Sequence, residues 1–102
     1  MAFIKEKETD FGLTANYWKL AMITIDRNMK EASFSFNLYF KKDAKQFIDT
    51  YIVSDFMGNP DKTLYEEYFE SDKYPHIFIA CHDYAKKYVE FFKDAEMVDT
   101  DI

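Results

Sequence analysis

From Ala32 to Lys41 the residues alternate without a break, with Ala32, Phe34, Phe36, Leu38 and Phe40 interleaved by Ser33, Ser35, Asn37, Tyr39 and Lys41. A period of two belongs to a strand, so this segment predicts one face against a core and one toward water. Burial of that aromatic face contributes roughly 1.5–3 kcal/mol per large side chain before chain entropy is counted. The rest of the fold has to supply that strand with neighbours and a second layer.

The flanking segments supply the neighbours. Leu13 to Ile25 ends in a β-branched cluster and predicts a strand, with Ala15, Tyr17, Ala21, Ile23 and Ile25 on one parity and Trp18, Leu20 and Met22 on the other. Asp26 to Lys30 predicts the hairpin connection, with Asn28 as the residue suited to a positive φ. After a polar turn over Lys42 to Gln46, Phe47 to Phe56 predicts a third strand, with Ile48 and Ile52 on one face and Phe47, Tyr51 and Val53 on the other. Gly58-Asn59-Pro60-Asp61 breaks the chain.

Two helices follow. Thr63-Leu64-Tyr65-Glu66 has the form of a capping box and starts a short helix through about Phe69. Ser71 and Asp72 give a second start, and a helix is predicted from Pro75 to about Lys93. On it Ile77, Cys81, Tyr84, Tyr88 and Phe91 form one apolar stripe. The fold class is therefore α+β: an antiparallel meander of three or four strands covered by a long C-terminal helix, with a shorter helix before it. The 102 residues form one domain, with 1–12 expected as a loose lead-in or short edge strand and 98–102 as a frayed end.

Charge narrows the partners. The net charge of −6 disfavours nucleic acid and anionic membranes, which reward clustered Lys and Arg. The acidity belongs to the second half, since Met1 to Gln46 carries 8 basic and 6 acidic residues and Phe47 to Ile102 carries 5 and 13. Cys81 is the single cysteine, and no apolar run reaches the roughly 18 residues of a membrane span, so an intracellular, soluble protein is expected.

No constellation assembles chemistry. His76, Cys81 and His82 are metal-ligand types, but helical angles send His76 away from the other two, and adjacent Cys81 and His82 point about 100° apart. Glu66, Glu67, Glu70 and Asp72 lack the His or Asn partners of a hydrolytic or cation site and read as a solvated face. A catalytic role, a cofactor and a metal are all unexpected. The oddity is aromatic content, 20% of the chain. Trp18, Tyr39, Phe40, Tyr65 and Tyr68 are the candidate interface residues, because exposed aromatics favour protein contacts. A second reading takes Trp18, Tyr39 and Tyr51 as stacking platforms for a small ligand or glycan.

Three stretches carry a family resemblance. Phe11 to Leu20 reads F-G-L-T-A-N-Y-W-K-L and is followed by I-T-I-D at Ile23 to Asp26; Ala32 to Ala44 reads A-S-F-S-F-N-L-Y-F-K-K-D-A. The C-terminal part has Y-E-E-Y-F at Tyr65 to Phe69, Y-A-K at Tyr84 to Lys86 and E-F-F-K-D-A at Glu90 to Ala95. In these the chain resembles small uncharacterised proteins of phages and prophages of Gram-positive bacteria, often encoded in the tail region, while Gln46 to Gly58 and Tyr88-Val89 match less closely. The resemblance implies a non-enzymatic structural or protein-interaction component of tail assembly. It would associate with itself or with other phage structural proteins, in the host cytoplasm or on the virion.

Overall fold

The computed structural model describes residues 1–54, 63–74 and 76–98. Its centre is a five-stranded antiparallel sheet in the order β4-β3-β2-β1-β5. The strands are β1 (Ala2–Glu8), β2 (Thr14–Asp26), β3 (Glu31–Tyr39), β4 (Asp49–Val53) and β5 (Glu96–Val98). One helical turn, α1 (Thr63–Tyr65), runs on as a π-helical turn over Glu66–Glu70. Helix α2 (Ile77–Tyr88) follows, and a 3₁₀ turn over Glu90–Phe92 leads into β5. The α+β class and the antiparallel sheet agree with the sequence pattern.

β3 alternates as its residues dictate, with Ala32, Phe34, Phe36 and Leu38 buried and Ser33, Ser35, Asn37 and Tyr39 half-buried. In β2 the apolar residues of both parities reach the core because the register with β3 shifts between Leu20 and Met22. Trp18 lies opposite Leu38 and Leu20 opposite Phe36 before the shift; Ile23 lies opposite Phe34 and Ile25 opposite Ala32 after it. One bulged residue, Ala21, thus converts a two-sided pattern into a single buried face.

The hairpin turn differs in one detail: Lys30, not Asn28, takes the positive φ, at 56°. Asp26 decides this, since its carboxylate accepts from the backbone N–H groups of both Asn28 and Met29 and holds those residues in an Asx turn. Gly12, at φ 75°, closes the β1–β2 connection with its N–H donating to the Thr9 carbonyl.

Three expectations are corrected. The sheet has five strands rather than three or four, because residues 1–12 contain β1, an interior strand between β2 and β5, and because Glu96–Val98 pairs with it. The charged residues of β1 are tolerated there because each lysine meets a distant acid. Lys5 Nζ reaches both carboxylate oxygens of Asp94 at 2.7 and 2.8 Å, and Lys7 reaches Asp49. The helix is not long: α2 spans 12 residues and stops at Val89, whose ψ of 112° is extended. The third strand is shorter than predicted, Asp49–Val53, and Phe56, the 58–61 break, Pro75 and residues 99–102 lie outside the described residues.

Helix α2 lays Ala80, Cys81, Tyr84 and Ala85 on the sheet. Beyond its end Phe92 enters the core from the 3₁₀ turn, stacked on Phe3 at 4.8 Å and set edge-on to Trp18 at 5.6 Å. The aromatic surplus is therefore mostly core. Trp18 is fully buried, and its indole N–H donates to the Lys5 carbonyl at 2.9 Å. Among the described residues no helix is long and apolar enough to cross a membrane.

Candidate functional site

Among the described residues, α1 and α2 pack on one face of the sheet, and the other face carries exposed side chains. Side chains of Met22, Ser35 and Ile52 form one row across β2, β3 and β4 on that face. Met22 is 65% exposed and Ile52 70%. The adjoining row is Thr24 and Ser33, and the groove of about 130 Å³ here is lined by Met22, Thr24, Ser33, Phe34, Ser35 and Ile52. These open-face positions carry apolar or hydroxyl groups and no charge. On the other side of the Met22 row, Thr50 Oγ1 donates to Asn37 Oδ1 at 2.9 Å and Lys19 lies over the Tyr39 ring. Past that point the segment after β3 folds back: Phe47 packs edge-on against Tyr39, and Tyr17 is buried with its phenol pKa raised by burial and by Asp43.

The five predicted interface residues separate sharply. Trp18, Tyr65 and Tyr68 are core residues at 0, 2 and 1% exposure and offer a partner no surface. Tyr39 is half-buried at the end of the open face, and Phe40, 44% exposed, stands beside it. Of the three stacking platforms expected for a glycan, Trp18 is enclosed and Tyr51 is stacked on Phe91 at 5.2 Å, which leaves Tyr39, half-buried on the open face. Met22 is exposed because the bulge at Ala21 reverses its face relative to Trp18 and Leu20, while Ile52 keeps the parity opposite Tyr51 and Val53 and is turned outward by the pairing of β4 with β3.

A second concavity, of about 230 Å³, lies on the helical side of the sheet and is lined by Met1, Leu20, His76, Phe78, Ile79 and His82. Both histidines line it, contrary to the expectation that His76 projects away. That expectation applied a helical angle to a residue outside the helix: His76 is the N-cap, at φ −136° and ψ 131°. Its Nδ1 accepts from the Phe78 N–H at 3.1 Å, which caps the first turn. His82 is 2% exposed, with Phe3 and Phe36 against its ring and its Nδ1 2.7 Å from the Phe78 carbonyl. Burial lowers its pKa, against the pull of that carbonyl. Its Nε2 is buried and makes no hydrogen bond of ordinary geometry, and the Met1 backbone and amino group lie beside the ring.

The remaining reactive groups are committed to structure. Burial pushes the Cys81 thiol up to about 12, so it is protonated and packs as a small apolar group. Tyr74 donates its hydroxyl to Asp83, and burial and that bond raise its pKa to about 12. The acids of the π turn face lysines: Glu66 and Glu70 flank Lys30, and Glu67 lies 3.7 Å from Lys73. Among the described residues no three His, Cys, Asp or Glu side chains are grouped so as to hold a metal ion. No protein-family model, curated protein or solved structure matches the chain.

Proposed function

We propose that this chain is a non-enzymatic structural or protein-interaction protein that docks through the open face of its sheet. The observation that carries the reading is the row Met22, Ser35 and Ile52, in which two large apolar side chains stand mostly exposed on either side of a serine. Single exposed apolar residues are ordinary on a protein surface, but neighbours sharing one sheet row make a contiguous patch with a cost in water. The row of Thr24 and Ser33 beside it is uncharged, so the acids of that face, Asp26 and Glu31, stand one row further from the Met22 patch. Among the described residues β4 is hydrogen-bonded to β3 alone, so strand addition at its outer edge is a second way to extend the same contact.

The occupant is a second copy or another component of a larger assembly. The resemblance of Phe11 to Leu20, Ala32 to Ala44 and the C-terminal stretches to phage and prophage proteins supports a tail-assembly setting. Light scattering coupled to size-exclusion chromatography, over a concentration series, tests the self-associating form. The parent is expected to form dimers or larger species, and a Met22→Lys, Ile52→Lys double variant is expected to stay monomeric with unchanged circular dichroism. A parent that remains monomeric throughout removes self-association and leaves only a different protein as partner.

A further inference from the structure

Along the strands of the open face the charge changes sign. Lys19 stands in the row before Met22, Ser35 and Ile52; Thr24 and Ser33 form the row after them, and Asp26 and Glu31 the next. Two uncharged rows therefore separate a basic row from an acidic one. The basic residues of the β2–β3 turn do not offset those acids, because both lie on the helical side. Lys30 sits between Glu66 and Glu70, and Arg27 lines a hollow with Tyr65, Phe69 and Glu70. Lys19 Nζ is held on the open face, 5.8 Å from the centre of the Tyr39 ring.

Such an order is complementary to its own reverse. Two sheets packed face to face lie roughly 10 Å apart, and a two-fold axis between them, perpendicular to the strands, makes the rows of one copy run against those of the other. With the axis between the Met22 row and the Thr24 row, Met22 meets the hydroxyl row of the second copy. The same placement brings Lys19 opposite Asp26 of the second copy, with Glu31 of the second copy one strand away. Moving the axis onto the Met22 row would leave Lys19 over Thr24, and moving it onto the Thr24 row would press Met22 against Asp26. One register satisfies the apolar and the charged rows together. The groove beside Thr24, Ser33 and Phe34, at about 130 Å³, has room for a thioether side chain, since an apolar cavity of roughly 150 Å³ holds a whole benzene ring.

We infer that the occupant of the open face is a second copy of this chain in that register, each Met22 entering the groove of the other copy and each Lys19 pairing with Asp26 and Glu31 of the other. The inference rests on the reading that the open face is the docking surface, and it adds the partner and its orientation. An isologous contact makes every pair twice, so one charge reversal counts twice against the dimer.

Sedimentation equilibrium of the full chain, over a concentration series up to about 1 mM, tests it. The parent is expected to form a dimer, and Lys19→Glu and Glu31→Lys are each expected to weaken it at least about tenfold with unchanged circular dichroism. An equimolar mixture of the two variants should dimerise where neither does alone, because each reversed charge then meets an opposite one; a misfolded variant would give no such rescue. A dimer that Met22→Lys, Ile52→Lys abolishes but the charge reversals leave intact would overturn the register while leaving the open face as the docking surface. A dimer indifferent to all of these variants would overturn both, and a parent monomeric throughout would overturn the second copy as occupant.

Discussion

The indole N–H of Trp18 donates to the carbonyl of Lys5 at the point where β1 changes register against β2, between Ile4 and Lys7. A ladder in regular register would engage that carbonyl in the sheet; the irregularity turns it toward the core, and the single Trp satisfies it. Trp18→Phe keeps an aromatic ring but leaves the carbonyl unpaired and a void beside Phe91 and Phe92. A loss of about 1–3 kcal/mol in urea unfolding is expected. A loss below about 0.5 kcal/mol would mean that water takes the place of the indole.

Cys81 predicts a slow thiol. Fully buried, with its pKa raised to about 12, it should resist an aromatic disulfide reagent at pH 8 in the native protein and react at once in denaturant. The native rate should then follow the opening of the fold, rising in any variant that lowers stability. Fast labelling of the folded protein would place Cys81 outside the core.

His82 predicts an acid limb. The unfolded ring takes up a proton near 6.5, whereas burial, together with the nearby Met1 amino group, depresses the folded value. Over the interval between the two the unfolded state binds more protons, so the stability contributed by the neutral ring is complete above pH 6.5 and declines as pH falls below it. The slope for one proton is at most about 1.4 kcal/mol per pH unit. His82→Gln should flatten this limb while leaving the loss below about pH 4, where the unfolded Asp49 carboxyl takes up a proton that its bond to Lys7 keeps off in the folded state. An unchanged slope between pH 6.5 and 5 in the variant would assign the limb to other groups.

At the β2–β3 turn, Lys30 combines an unfavourable backbone with two ion pairs. Its φ of 56° strains a residue with a Cβ, while Glu66 and Glu70 lie 3.4 and 3.6 Å from its Nζ. Lys30→Gly relieves the strain and loses the pairs. At high salt, where exposed pairs are screened, the variant should be more stable by about 0.5–1 kcal/mol, and at low salt the gain should shrink. A destabilised variant at high salt would show that the lysine's aliphatic stem contributes packing.

The β2–β3 hairpin was legible because its information is local: strict alternation in β3 and a polar turn. The same local reading failed for β1, since nothing near Lys5 or Lys7 in sequence announces that Asp94 and Asp49 will neutralise them inside a sheet. It ran helix α2 too far for a related reason. Phe91 and Phe92 continue the apolar stripe, yet they enter the core from a 3₁₀ turn against Trp18, a contact set by tertiary packing. Which aromatics are exposed was illegible as well, because burial of Tyr65 and Tyr68 depends on where the helical turn of Glu66–Glu70 is placed on the sheet. The hollow was missed because His76 acts as a cap and not as a helical residue.

The pairing of Ala2 with Val98 places almost the whole chain between two hydrogen-bonded neighbours. During synthesis the strand containing Phe3 therefore leaves the ribosome well ahead of its outer partner and waits while the intervening residues are made. The β2–β3 hairpin can form early, whereas the outer edge of β1 stays unpaired until Glu96–Val98 is released. The short strand Glu96–Val98 thus closes the sheet over an edge made much earlier.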